Sequence, residues 1–78
     1  MKIEEFISNF AFQFDETPIE EFNAETVYKE LDEWSSLLAL SIIAMVDEEY
    51  DIKIKGDDIR NTKTINDLYN LLKNKSNG

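Results

Sequence analysis

A chain of 78 residues has room for one small domain, and it lacks both cysteine and histidine. Disulfides, thiolate metal sites and the Ser-His-Asp or Cys-His forms of nucleophilic catalysis are thereby excluded. The net charge of −9 is unevenly placed, with fourteen acids and two bases through Asp51 against three acids and six bases from Ile52 onward. Such a body repels phosphate backbones and anionic lipid and attracts basic protein surfaces, so nucleic-acid binding is not expected; with no histidine, no cysteine and no evident pocket, neither is catalysis.

No apolar run approaches the roughly 20 residues that span a bilayer, so stable membrane insertion is not expected. Met1-Lys2-Ile3-Glu4-Glu5 has early acids and no signal-peptide pattern, which makes a cytoplasmic location the expectation. Ile3, Phe6, Ile7, Phe10 and Phe14 recur at three- and four-residue steps and predict a first helix over residues 2–14. Phe12 falls off this stripe and is expected to cover a neighbouring element.

Residues 15–35 form the longest connection. Thr17-Pro18-Ile19-Glu20 reads as a helix start, with threonine as cap and proline at the first helical position, and predicts a short turn over 18–22. Phe22, Val27, Tyr28, Leu31 and Trp34 are apolar anchors that pin the loop to the core, since a structureless loop of this length is unusual in a compact domain.

The second helix is expected over 36–51. Leu37, Leu38, Leu40, Ile42, Ile43, Ala44, Met45 and Val46 surround almost its whole circumference, more than a single buried stripe requires. Part of this apolar surface is therefore expected at an interface, and Leu37, Leu40 and Ala44 share a face with Glu48. Either Ser35 or Ser36 is a suitable cap for this helix. Asp47, Glu48, Glu49 and Asp51 lack the spacing and the glycine of a calcium-binding loop and read as a solvated acidic face.

Asp51-Ile52-Lys53-Ile54-Lys55-Gly56 alternates polar and apolar residues, but with no second strand to pair with it reads as an extended loop. Asp57-Asp58-Ile59-Arg60 predicts a short helical turn with acids at its positive end. Thr64 caps a last helix over 65–74 that carries Ile65, Leu68, Tyr69, Leu71 and Leu72. Residues 1–75 form a single domain, with 76–78 a frayed tail. The fold class is all-α, a small bundle of three main helices plus one short helix. Its expected core is Phe6, Phe10, Ile42, Val46, Tyr50, Ile65 and Leu68.

This order of elements resembles the acyl carrier protein family, most closely from Glu25 to Leu72. Thr26, Leu31, Trp34, Ser36-Leu37, Asp47-Glu48-Glu49-Tyr50, Gly56-Asp57-Asp58 and Thr64-Ile65-Asn66-Asp67-Leu68 carry the likeness by their joint spacing. The resemblance implies a single carrier domain with 4'-phosphopantetheine esterified to Ser36 by a phosphopantetheinyl transferase. The thiol of that group carries acyl cargo for fatty-acid, polyketide or other specialised biosynthetic enzymes.

The resemblance also implies a monomer whose partners are acyl ligases, ketosynthases or acyltransferases with basic docking patches. Leu37, Leu38, Leu40, Ser41, Ala44, Asp47 and Glu48 would meet them, with a secondary contribution from Asp57 and Asp58. The chain departs from the family pattern at Ser35, where aspartate usually precedes the modified serine and helps the transferase recognise it. Leu38 is a second departure, because polar or acidic residues are common there. Two alternatives follow: a carrier-fold protein that is never modified and binds partners through helix two, and a small helical regulatory domain that binds through its acidic face.

Overall fold

A computed structural model describes residues 1–77, and their fold is all-α. Helices α1 (Ile3–Ala11), α2 (Ser36–Tyr50) and α4 (Ile65–Asn77) form the bundle, and α3 (Gly56–Arg60) is the short fourth helix. Single 3₁₀ turns at Ile19–Glu21 and Tyr28–Glu30 punctuate the long connection between α1 and α2. α1 packs against both α2 and α4, while α3 packs against α4.

The core is largely aromatic. Phe6, Phe10, Tyr28, Ile42, Val46, Ile65, Leu68 and Leu72 are fully buried. Phe10 meets Tyr28 edge-on at 5.2 Å between ring centroids, Tyr28 meets Trp34 at 5.1 Å, and Phe14 meets Phe22 at 4.9 Å. Such pairs add to the stabilisation from area burial alone. Of the expected core residues only Tyr50 is half-buried, and its hydroxyl accepts a hydrogen bond from Asn9 Nδ2 at 2.8 Å.

Helix α1 stops at Ala11, short of the expected residue 14. The 3,4 spacing of Phe14 does reach the core, but through turns in which the N–H groups of Gln13 and Phe14 bond to the carbonyls of Phe10 and Ala11. Phe12 covers no neighbour; it is the C-cap of α1 and 85% exposed. Thr17 does not cap the first 3₁₀ turn either. Pro18, in extended backbone, holds the cap position and no side chain bonds there, because the Thr17 hydroxyl is engaged by Glu33.

The long connection is anchored as expected. Phe22 and Tyr28 are buried, and Val27, Leu31 and Trp34 are half-buried. Its middle is tied to the start of α4: Val27 forms an isolated antiparallel bridge with Thr64, and the Ile65 and Asn66 N–H groups donate to Thr26 O (3.1 Å) and Ala24 O (2.9 Å). The second 3₁₀ turn, with no counterpart in the sequence reading, points Tyr28 into the core. The Tyr28 hydroxyl lies 2.7 Å from Thr62 Oγ1, the one buried polar side chain among the described residues, and burial raises its pKa. Lys29 Nζ donates to the Ile59 and Arg60 carbonyls at 2.9 and 3.1 Å, placing a cation at the negative end of α3.

The alternating segment after α2 is extended and unpaired, with Ile52 and Ile54 buried and Lys53 and Lys55 exposed. Asp51 closes α2 in the left-handed region at φ 54°, ψ 40°, so the helix proper ends at Tyr50. Helix α4 begins at a reciprocal cap: the Asp67 N–H donates to Thr64 Oγ1 at 3.1 Å, and the Asp67 carboxylate accepts from the Thr64 N–H at 3.0 Å. The Thr64 and Lys63 backbone donors hold the Asp67 carboxyl below its usual pKa. α4 runs through Asn77, past the expected end at 74, so Ser76 and Asn77 belong to the helix instead of a frayed tail. Gly78 lies outside the described residues.

Candidate functional site

The N-terminal turn of α2 divides the two serines between two tasks. Ser35, in extended backbone at φ −158°, ψ 171°, is the cap, and its Oγ accepts the Leu38 N–H at 3.3 Å. Its carbonyl accepts the Ala39 N–H at 3.0 Å, the first intrahelical bond. Ser36 is the first helical residue and is exposed, so its hydroxyl is free of the capping role. The leading N–H groups of any α-helix lack intrahelical partners, and the helix dipole adds partial positive charge at that end. No acidic residue lies in the first turn of α2. The exposed Ser36 side chain therefore stands at the end of α2 where negative charge is favoured.

A 100° step per residue sorts the other candidates around the helix. Leu37 (73% exposed), Leu40 (63%), Ala44 and Glu48 form an exposed stripe that begins beside Ser36. Ser41, on its flank, is half-buried. Leu38 falls on the opposite side with Ile42 and Met45 and is buried, so it is a core residue and not a docking residue. The apolar excess of α2 is thus real but smaller than its composition implies.

The acids at the far end of α2 run against the helix dipole: Asp47, Glu48 and Glu49 crowd the last turn, which contains no basic residue. Asp47 is half-buried and ion-paired with Lys53 Nζ at 3.0 Å, whereas Glu48 and Glu49 are exposed. Asp57 and Asp58 stand on α3, off the α2 stripe. Asp57 pairs with Arg60, and Asp58 accepts the Lys55 N–H at 2.9 Å and lies 4.0 Å from Lys75 Nζ, so both serve the start of α3.

Just before the site lies a clamp that residue patterns do not reveal. The Glu33 carboxylate accepts the backbone N–H groups of Asp15 (2.8 Å), Glu16 (3.0 Å) and Thr17 (2.9 Å), and the Thr17 hydroxyl at 2.7 Å. The Thr17 hydroxyl, reinforced by these backbone donors, holds the Glu33 carboxyl below the usual glutamate range. The clamp ties the segment leading into Ser36 to the turn that follows α1. Trp34, stacked on Phe14 and edge-on to Tyr28, fixes the same segment from the core side. Comparison with protein-family models, with curated proteins and with solved structures finds no match for the chain.

Proposed function

We propose that this chain is an acyl carrier protein that bears 4'-phosphopantetheine on Ser36. The observation that carries the reading is the division of labour at the start of α2. Ser35 supplies the cap, while Ser36 is exposed at the positive end of a 15-residue helix whose first turn has no acid. When bound, the group supplies a thiol that holds acyl cargo as a thioester. The chain's own residues do the rest: the α2 backbone favours the phosphate, and the Glu33 clamp and Trp34 hold the approach to Ser36 in place. The exposed Leu37, Leu40 and Ala44, with Glu48, present an apolar and acidic face to a basic partner surface.

Fragmentation mass spectrometry of the modified protein tests the assignment of the residue. The added mass is expected on Ser36; its appearance on Ser35 or Ser41 would contradict the proposed geometry.

A second reading is favoured by Ser35 in the position where the family carries aspartate. In it the protein is never modified and works as an interaction module through α2. Ser36→Ala separates the two, since it abolishes carrier function and leaves an interaction module intact.

A further inference from the structure

A ladder of aromatic rings runs through the interior from the approach to Ser36 as far as α4. Trp34 meets Tyr28 at 5.1 Å between centroids, and Tyr28 meets Phe10 at 5.2 Å. Phe10 then meets Phe6 at 6.0 Å, and Phe6 meets Tyr69 of α4 at 5.9 Å. Phe14 and Phe22, 4.9 Å apart, thicken the end of the ladder beside Trp34 and Phe10. Ile42 and Val46 of α2 belong to the same cluster and are fully buried. The ladder is also bolted: the Tyr28 hydroxyl lies 2.7 Å from Thr62 Oγ1 and 3.2 Å from the Ile59 carbonyl oxygen, both contacts buried.

Resting on the carrier reading, we infer that the cargo is a short acyl group that stays in water at the end of the arm, and not a long alkyl chain. An alkyl tail needs apolar cover, because each methylene left in water is unfavourable. The core supplies that cover only if a ring is displaced. Interiors are densely packed, and inserting further atoms forces side chains off their rotamers. Moving Tyr28 also takes its hydroxyl from its buried partners, which is costly in itself. The surface near Ser36 offers little more. The open cleft that reaches Asp32 and Glu33 is walled by Glu16 and Glu21 as well, so it is acidic. Leu37 and Leu40 are exposed on the convex side of a helix and touch a tail on one side only. A short acyl group needs no cover and leaves that stripe free for partner proteins.

The test compares acetyl and octanoyl forms of the isotope-labelled full chain. A broad-specificity phosphopantetheinyl transferase loads each from its coenzyme A thioester. The Ser36 hydroxyl gives up its proton and displaces adenosine bisphosphate, so arm and cargo arrive together. Amide NMR of the two forms is expected to agree at Tyr28, Ile42, Val46, Ile65 and Leu68, with differences confined to the first turns of α2. Hydroxylamine should cleave both thioesters at the same rate, and the octanoyl form should be held longer on a hydrophobic column because its tail is exposed. Shifts at those core amides that appear only with octanoyl would overturn the proposal. So would slower cleavage of the octanoyl thioester, or equal retention of the two forms. If neither thioester adds mass to a folded sample, the carrier reading fails and this proposal falls with it. A chain that is loaded and buries octanoyl overturns the cargo assignment alone.

Discussion

Glu33 and Thr17 are joined twice: one carboxylate oxygen accepts both the Thr17 backbone N–H at 2.9 Å and its hydroxyl at 2.7 Å. With the Asp15 and Glu16 N–H groups completing the set, the acid serves as an internal anion for a turn rich in donors. Its folded-state pKa is depressed, so its contribution to stability is fully present above the unfolded value and is lost as pH falls through the folded one. Asp67, depressed by the Thr64 and Lys63 backbone donors, acts in the same direction. Thermal melts should therefore show a falling Tm on acidification below about pH 4, the ordinary carboxylate range. Glu33→Gln should lower Tm at neutral pH and flatten part of that acid limb, with faster hydrogen exchange at Asp15, Glu16 and Thr17. An unchanged acid limb would show that the clamp contributes nothing to stability.

The two serines at the head of α2 should separate in mutagenesis. Ser35→Ala removes the cap and is expected to cost about 1 kcal/mol in denaturant unfolding. Ser36→Ala, at an exposed helical position, should change stability by less than about 0.5 kcal/mol. Ser35→Asp keeps a capping oxygen and introduces the acid that the acyl carrier resemblance associates with transferase recognition, so faster modification is expected at nearly constant stability. Equal costs for the two alanine variants would contradict the assigned cap.

Leu38 is distinguished from its neighbours by burial. Leu38→Ala leaves a cavity beside Ile42 and Met45 and is expected to cost about 2–5 kcal/mol. Leu37→Ala and Leu40→Ala, at residues 73% and 63% exposed, should each stay within about 0.5 kcal/mol. A chemical denaturation series on the three variants checks the order.

Asp51 holds the left-handed conformation that ends α2, at φ 54°, the only positive φ among the described non-glycine residues. Its side chain also places negative charge at the negative end of the helix dipole. Asp51→Gly relieves both and should raise stability by about 1 kcal/mol. A decrease in unfolding free energy would show that the aspartate side chain makes a compensating interaction.

The legible features were those with local chemical signatures. The start of α2 follows from adjacent serines before an apolar run, the start of α4 from Thr64 and Asp67, and the extended link from Ile52 and Ile54. The end of α1 was hidden because Phe14 keeps the helical spacing yet reaches the core through a turn. On α2, apolar residues on nearly every side erased the periodicity that would have assigned Leu38 to the core, and only packing against the bundle separates it from Leu37. The Glu33 clamp joins residues 16 to 18 positions apart through backbone donors, which no side-chain pattern records. Phe12 had one visible signal, its place off the α1 stripe, and that pointed to a surface position as readily as to a second contact.

Intact-protein mass spectrometry bears most directly on the central claim. Wild type and Ser36→Ala are incubated in parallel with coenzyme A, magnesium and a broad-specificity phosphopantetheinyl transferase. The account predicts the mass of one phosphopantetheinyl group on the wild type and none on the variant. A folded wild-type sample that gains no mass with several transferases, or a Ser36→Ala sample that gains the same mass, would contradict it.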